Sequence, residues 1–179
     1  MEVNTNELPK NSEQWAAIDG YKNYQVSWWG RVRNATTARI LKSKLNPNGY
    51  MSVNLSKRGS KPKTHFIHQL VAREWAPNPE QKRCVDHIVG SRTNNNWENL
   101  RYATSSENGM NAKHRTDGSS VYKGVNYQTQ AKKWKAQIGI NRQRIYLGLF
   151  TSEREAGEAY NRAAREQYGE YAKLNIFED

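Results

Sequence analysis

The chain has 179 residues, with 28 lysine or arginine residues against 17 acidic ones and a formal net charge of +11 at pH 7. This excess of positive charge predicts a polyanionic partner, either nucleic acid or an acidic membrane surface. The sequence contains no apolar run long enough for a membrane-spanning helix, and its single cysteine excludes an internal disulfide or a cysteine zinc knuckle. The polar N-terminus lacks the apolar segment of a secretory signal, so we expect a cytoplasmic protein without a membrane partner.

The N-terminal third of the chain has a β-type pattern. Residues 1–12 are polar and are expected to form a flexible tail, whereas residues 13–63 contain short apolar runs separated by turn residues. The predicted strands lie at residues 15–18, 24–27, 30–33, 39–42 and 50–55. In the last of these strands Met51, Val53 and Leu55 alternate with polar residues, as expected for a strand with one buried face. We therefore expect a small β-rich module.

The string W-A-A-I-D-G-Y-K-N-Y-Q-V-S-W-W-G-R-V-R, residues 15–33, resembles the nuclease-associated modular domain that precedes HNH units in homing endonucleases. The resemblance implies a segment that helps to hold DNA. Through residue 60 the chain has nine basic and four acidic residues, a net charge of +5, which suits contact with phosphates. The side chains expected to follow the phosphate backbone are those of Arg31, Arg33, Lys42 and Lys44.

A strand and a helix are predicted next, at residues 64–67 and 68–75. The string F-I-H-Q-L-V-A-R-E-W-A-P-N-P resembles the lead-in of the HNH homing endonucleases. His68 begins this helix beside aromatic residues, and we expect it to be structural or to contact the DNA backbone rather than to bind a metal. The helix residues expected to pack behind the site described next are Val71, Ala72 and Trp75.

The central stretch predicts a hairpin with polar residues at its ends. Asp86 and His87 are adjacent and follow two apolar residues, so they are expected to close a short strand. The polar residues 90–96 predict a wide loop, and residues 100–103 predict the returning strand. Asn99 directly precedes that strand, with eleven residues between it and His87.

A helix is predicted immediately after the hairpin. Thr104 and Glu107 form a capping box, and the helix that it begins would carry Asn108 in its first turns. Strand, loop, strand and helix would then bring one carboxylate, one imidazole and two carboxamides together. A neutral imidazole can accept a proton from water, and carboxylate and carboxamide oxygens suit Mg2+. The residues also permit a plainer interpretation, an asparagine-rich surface loop beside a structural histidine.

The spacing Asp-His-x11-Asn-x8-Asn resembles that of the HNH nucleases with a ββα-metal fold. The longer string D-H-I-V-G-S-R-T-N-N-N-W-E-N-L-R-Y-A-T-S-S-E-N resembles the phage and intron-encoded HNH homing endonucleases. By this resemblance His87 would be the general base and Asn99 the residue that orients it. Asp86 and Asn108 would bind Mg2+ or Mn2+. Arg92, in the loop, is also expected to contact DNA.

The composition changes after this site. Residues 113–120 are polar and contain glycine, which predicts a linker between a nuclease core at residues 64–112 and a module at residues 121–179. Alternation predicts three strands in that module, at residues 122–127, 133–140 and 144–150. A capping box that begins at Ser152 predicts a helix that Gly169 would end.

The charges of this last module are unevenly distributed. Residues 113–147 contain eight basic residues and one acidic residue, a net charge of +7, whereas residues 148–179 contain four basic and seven acidic residues, a net charge of −3. If the helix covers the apolar face of the sheet, a basic face that includes Arg144 and Tyr146 remains exposed and could enter the DNA major groove. The third-strand side chains expected to face the helix are those of Ile145, Leu147 and Leu149.

The strings Y-K-G-V, K-W-K-A-Q-I, Y-L-G-L-F and A-K-L-N-I-F resemble the APETALA/ethylene-response-factor (AP2/ERF) DNA-binding domain over residues 120–177. The resemblance implies a three-stranded antiparallel sheet packed on one helix, with the sheet touching DNA. Lys135 lies on the same outward face by alternation. The positions that match the family's DNA contacts are Lys123, Asn126, Gln128, Gln137, Arg144 and Tyr146.

Together these patterns predict an α+β protein of three small modules: a β-rich N-terminal module, an HNH ββα-metal nuclease core and an AP2/ERF-type module. The predicted function is metal-dependent hydrolysis of one DNA phosphodiester per site, which gives 3′-OH and 5′-phosphate ends. The partner would be double-stranded DNA rather than a small molecule, and the protein a monomer or weak dimer. Two alternatives stay open, a transcription regulator with an inactive HNH unit and an RNA-binding intron-splicing helper.

Overall fold

The computed structural model describes residues 12–112 and 118–177. These residues form an α+β structure of small antiparallel sheets and three α-helices, which confirms the predicted fold class. The chain divides into two compact units, Met1–Ala103 and Thr104–Asp179. The predicted tail up to residue 11 and residues 113–117 of the predicted linker lie outside the described residues. No helix in the described ranges is both long and apolar enough to cross a membrane.

The first unit begins with two three-stranded antiparallel sheets. The first sheet contains β1 (Trp15–Ala17), β2 (Tyr24–Ser27) and β3 (Val32–Asn34). The second contains β4 (Lys44–Leu45), β5 (Met51–Leu55) and β6 (Lys63–Phe66). The strand predicted at residues 39–42 is absent from these described residues, where Ile40 makes only an isolated bridge to Arg33. Ala38 just before it has a φ of 56°, which turns the chain away from an extended path.

A helix and a hairpin complete this unit. Helix α1 (Ile67–Trp75) is followed by β7 (Cys84–His87), a short 3₁₀ helix (Trp97–Asn99) and β8 (Leu100–Ala103). β7 and β8 pair with each other in antiparallel register, and α1 packs against them as predicted.

One hydrophobic core serves the whole first unit. Val26 and Leu55 from the two sheets pack in the same cluster as Val71 from α1 and Leu100 from β8. The predicted boundary between residues 63 and 64 therefore passes through a continuous core, and the segments on either side of it pack in one compact unit. Sheets of three very short strands bury too little apolar surface to be stable alone, so they share the α1 helix.

The described residues of the second unit form three strands and two α-helices. These are α2 (Ser105–Met110), β9 (Val125–Gln128), β10 (Lys133–Ile140), β11 (Gln143–Phe150) and α3 (Glu153–Tyr168), with sheet order β11-β10-β9. Both predicted capping boxes are present, at Thr104 and at Ser152, and Gly169 ends α3. Helix α2, predicted as part of the nuclease core, is grouped with this unit.

The end of the predicted linker also belongs to this unit. The Ser119 hydroxyl oxygen accepts a hydrogen bond from the Tyr127 amide at 2.8 Å, and the buried Ser120 hydroxyl donates to Glu153 Oε1 at 2.7 Å. Ser119 and Ser120, at the end of the predicted linker, are therefore attached to the strand β9 and to the start of α3.

A β-bulge changes the facing of β11. Ala136 pairs with Gly148 and Gln137 pairs with Tyr146, so Leu147 is an extra residue on β11. Beyond the bulge Leu149 pairs with Lys135 on the outward face and is 40% exposed. The prediction that Leu149 faces the helix is therefore wrong, because strict alternation does not hold across an inserted residue.

Candidate active site

The β7–β8 hairpin places Asp86 and His87 side by side at the end of β7, and each residue is only 5% exposed. Arg101 lies opposite Asp86 on β8, and its Nε and Nη2 donate to Asp86 Oδ2 at 3.0 and 2.9 Å. Arg101 was not among the predicted site residues. The hairpin register could have identified it, since oppositely charged residues directly across an antiparallel pair attract each other.

The His87 ring is held by Asn95. His87 Nε2 lies 3.1 Å from Asn95 Oδ1, and Asn95 Nδ2 donates to the Thr93 carbonyl at 3.2 Å. This second bond assigns the amide orientation, so Nε2 is the nitrogen that carries the proton in the neutral ring. The lone pair of His87 is then on Nδ1, which is the nitrogen able to act as a base.

Asn99 does not make the contact that was predicted for it. Its Oδ1 accepts from the Val89 amide at 3.0 Å and its Nδ2 donates to the Asn94 carbonyl at 2.8 Å. Asn99 therefore fixes the backbone of the loop between β7 and β8, and the side-chain partner of the His87 imidazole is Asn95. The motif spacing gives no signal that distinguishes Asn95 from its asparagine neighbours.

Aromatic rings lie close to the His87 imidazole. The His68 ring centroid lies 5.1 Å from that of His87, and Tyr50 lies 4.9 Å from His68 and 6.0 Å from His87. His68 thus belongs to a buried ring cluster, as the structural interpretation predicted, and its Nδ1 has no hydrogen-bond partner among the described residues. Burial lowers the pKa of His68 to about 4.

The environment of His87 favours a neutral ring. Burial has the largest effect and lowers the pKa of His87, while the bond to Asn95 and the Asp86 carboxylate act in the opposite direction. A pKa below the usual 6.5 leaves the imidazole deprotonated near pH 7. The group is thus in the protonation state that a general base requires.

The predicted metal ligands lie in different units. Asp86 is in the first unit, and Asn108 lies on α2 in the second, where its side chain is exposed. The described ranges contain no cluster of three or more histidine, cysteine, aspartate or glutamate side chains that could hold a metal ion. A carboxylate and a carboxamide still match the oxygen preference of Mg2+, which completes its shell with water and phosphate. The pairing of Asp86 with Asn108 stays a prediction.

Two of the predicted DNA contacts make intramolecular contacts in β3 and the turn before it. Arg31 donates from Nε to Glu13 Oε1 at 2.7 Å, and Arg33 donates from Nε to Gln25 Oε1 at 2.8 Å. The Arg33 guanidinium also lies 4.1 Å from the centroid of the Trp15 ring. Both side chains would have to contact DNA while keeping these partners or by exchanging them.

The other predicted DNA contacts of the first unit, Lys42, Lys44 and Arg92, lie at the surface. Arg92 donates from Nη1 to the Asn48 carbonyl at 2.8 Å and lies 4.9 Å from the Tyr50 ring centroid. Lys42 and Lys44 are exposed beside β5, on either side of a shallow cavity of about 150 Å³. These positions are compatible with phosphate contacts, which stay predictions.

The sheet of the second unit gathers most of the predicted contacts on one face. α3 packs against the side of the sheet that carries Ala136, so the side of Lys135 is the opposite face of this unit. Strand register places on that opposite face the side chains of Asn126, Gln128, Lys135, Gln137, Arg144 and Tyr146. Their placement fits a DNA-reading surface, because amide and basic side chains recognise base edges and phosphates.

Lys123, another predicted DNA contact, makes hydrogen bonds within the second unit. Its Nζ donates to the Met110 carbonyl at 2.6 Å and to the Ala112 carbonyl at 2.7 Å. Burial, followed by the charge of Lys173, lowers the pKa of Lys123 to about 8. The ammonium group therefore caps the end of α2, and a DNA contact by Lys123, which stays a prediction, would have to keep or exchange these two bonds.

Comparison with known proteins finds matches both to an AP2/ERF-domain protein and to HNH endonucleases. The chain is 43% identical over 71 residues to the AP2/ERF and B3 domain-containing transcription repressor TEM1 of Arabidopsis thaliana, covering 40% of this chain and 19% of that protein. It is 40% identical over 114 residues to an uncharacterized HNH endonuclease, L247, of Acanthamoeba polyphaga mimivirus, covering 62% of this chain and 28% of that protein.

A phage enzyme and its structure also match. DNA endonuclease I-HmuI of Bacillus phage SP01 is 38% identical over 96 residues, which cover 53% of this chain and 55% of that enzyme. A solved structure of DNA binding and cleavage by the HNH homing endonuclease I-HmuI matches with a TM-score of 0.51 and 37% identity, over 55% of this chain and 56% of that chain. The chain therefore spans between about a quarter and about half of the length of these nuclease relatives.

Two family models match consecutive segments of the chain. Residues 13–56 match the NUMOD4 motif, and residues 59–110 match the HNH endonuclease model. The second match includes the hairpin with Asp86 and His87 and the helix with Asn108. The chain thus contains a segment that matches the NUMOD4 motif, followed by a segment that matches the HNH endonuclease model, and about half of it is similar to the HNH homing endonuclease I-HmuI.

Proposed function

We propose that this protein is a divalent-metal-dependent DNA endonuclease of the homing type that nicks one strand at each site. The observation that supports this most directly is the state of His87: the ring is buried, its Nε2 is hydrogen-bonded to Asn95, and the residue directly follows Asp86 in the chain. A general base in a nuclease needs a neutral ring in a fixed orientation. Both requirements are met here.

In the proposed reaction His87 Nδ1 accepts a proton from the water that attacks phosphorus. Asp86 and Asn108 would hold Mg2+ or Mn2+, and the bound cation would stabilise negative charge on the phosphate and on the departing 3′ oxygen. Asn99 keeps the loop after His87 in place through its two backbone bonds. Because the bond that breaks is the one between phosphorus and the 3′ oxygen, the products carry 3′-OH and 5′-phosphate ends.

We propose double-stranded DNA as the substrate, held by both units. The outward face of β9, β10 and β11 would be an AP2/ERF-type reading surface, while Lys42, Lys44 and Arg92 would contact phosphates near the first unit. One HNH motif per chain accounts for a nick rather than a double-strand break, and a monomer or weak dimer would suffice.

The test is the conversion of supercoiled plasmid DNA to the nicked form in Mg2+, with and without EDTA. His87→Ala should lower the nicking rate by about 10²–10⁴-fold because it removes the base, while DNA binding measured by anisotropy stays unchanged. Wild-type nicking by His87→Ala would remove His87 from the mechanism. Tight duplex binding without any nicking by the wild type would favour a transcription regulator, and preference for structured RNA would favour a splicing helper.

A further inference from the structure

The turn between β2 and β3 lies directly against the loop that follows His87. Gly30 in this turn has a φ of 85°, and a Cβ placed on it would lie 2.7 Å from Asn95 Cβ and 3.1 Å from the Asn95 carbonyl oxygen. The Trp28 carbonyl, two residues earlier, accepts the Trp97 amide at 2.8 Å. The turn thus contacts the loop at Asn95 and two residues beyond it.

Asn95 connects this turn to the imidazole. It is 5% exposed, and its Oδ1 lies 3.1 Å from His87 Nε2. Its Nδ2 donates to the Thr93 carbonyl, which prevents the amide from presenting its nitrogen to the ring. The contacts therefore run from Gly30 to Asn95 and from Asn95 to His87, all within the first unit.

We propose that Asn95 is a positioning residue for His87 and that the β2–β3 turn of the NUMOD4 motif holds Asn95 in place. The motif is then a structural part of the cleavage site and not only a grip on DNA. Since Asn95 acts through His87, its loss should reduce turnover without weakening DNA binding. This inference rests on the proposed nuclease function.

The side-chain half of the proposal is tested with Asn95→Ala and Asn95→Asp. Asn95→Ala should lower kcat by about 10–100-fold at constant KM for DNA, because the ring loses its hydrogen-bond acceptor. Asn95→Asp keeps an oxygen acceptor facing Nε2 and should recover most of the lost rate. A kcat of Asn95→Ala equal to that of the wild type overturns the proposal.

The turn half is tested with Gly30→Ala against Gly59→Ala. Both glycines have positive φ, 85° and 76°, so alanine strains the two backbones similarly. No described atom lies within 4 Å of a Cβ placed on Gly59, whereas one placed on Gly30 meets Asn95. Gly30→Ala should therefore lose kcat about as Asn95→Ala does, while Gly59→Ala keeps it. Equal kcat in a folded Gly30→Ala and in Gly59→Ala overturns the role of the turn.

Two measurements do not depend on cleavage. The ¹⁵N shifts of His87 at neutral pH should show the Nε2–H tautomer in the wild type and a mixture in Asn95→Ala, and an Nδ1–H wild type overturns the proposal. If the wild type cuts no DNA, the proposed function fails and this spectrum still decides the positioning role. If Gly30→Ala does not fold, hydrogen exchange of the wild-type Trp97 amide decides the role of the turn: core-like protection supports it and fast exchange overturns it.

Discussion

At the scale of single residues, the ion pair of Asp86 and Arg101 stabilises the hairpin and involves the carboxylate that is predicted to bind metal. The carboxylate that is predicted to bind metal is almost fully buried, and the guanidinium across the hairpin neutralises it. A buried carboxylate without a partner is strongly unfavourable, because desolvation is not offset by any attraction. The Arg101 guanidinium therefore offsets the cost of burying the Asp86 carboxylate in the hairpin.

The first prediction follows from this pair. Arg101→Ala should lower the free energy of unfolding by about 3 kcal/mol, since it removes the cation that offsets the burial of the Asp86 carboxylate. The matched control is Arg73→Ala, whose ion pair with Asp19 is exposed and 3.9 Å long, and which should change stability by at most about 1 kcal/mol. Urea unfolding measures both values. An equal loss of unfolding free energy in the two variants would contradict the larger contribution expected of the buried pair.

The pKa of His68 predicts how the free energy of unfolding depends on pH. Its folded pKa of about 4 lies below the ordinary 6.5, so the folded state rejects a proton that the unfolded chain accepts. The contribution of His68 to the free energy of unfolding is then fully present above pH 6.5 and is lost as the pH drops toward 4. The loss is up to about 3 kcal/mol, since one pKa unit corresponds to about 1.4 kcal/mol. His68→Phe should show a shallower loss over this range in thermal melts, with a remainder from His87. Identical pH profiles would contradict this account.

At the scale of elements, short helices in this chain depend on side chains from elsewhere. α2 has only six residues, too few to be stable alone, and it has a capping box at its start and the Lys123 ammonium at its end. The helix that carries Asn108 is therefore anchored at both ends. The anchoring bonds of Lys123 would compete with a DNA contact by the same ammonium group.

A paired experiment separates this role from DNA binding. Lys123→Met should destabilise the second unit by about 2 kcal/mol through the lost charged hydrogen bonds and leave the salt dependence of DNA binding unchanged. Lys135→Met, on the outward face of the sheet, should leave stability within about 0.5 kcal/mol and lower the salt slope by about 1. Thermal melts and binding titrations over a range of NaCl concentrations provide the two readouts. The reverse pattern would return Lys123 to the DNA surface.

At the scale of the whole molecule, a basic chain with two units predicts additive phosphate contacts. Lys42→Gln and Lys135→Gln alter one charge in each unit, so each should lower the salt slope by about 0.9 and the double variant by about 1.8. Arg162→Gln is the matched control, because it removes an exposed charge from α3, which packs on the other face of the sheet. A double variant with the slope of one single variant would mean that only one unit touches DNA.

The sequence by itself determined the local elements and the motif. Capping boxes at Thr104 and Ser152 act within one helical turn, and the alternation of β5 and β10 shows in adjacent residues, so both could be read without knowing the fold. Asp86 and His87 are likewise adjacent at the end of one strand, and their spacing from the asparagines that follow identifies them in the sequence. Interactions between residues close in the chain need no tertiary information.

Only the tertiary structure decided which side chains touch one another. Asn95 rather than Asn99 bonds His87 because the loop path and the Gly30 turn set its position, and Arg101 meets Asp86 because of the hairpin register. The bulge that turns Leu149 outward and the core that joins the predicted modules are likewise set by packing between distant segments. Contacts of this kind depend on three-dimensional register and shape, which one-dimensional patterns do not contain.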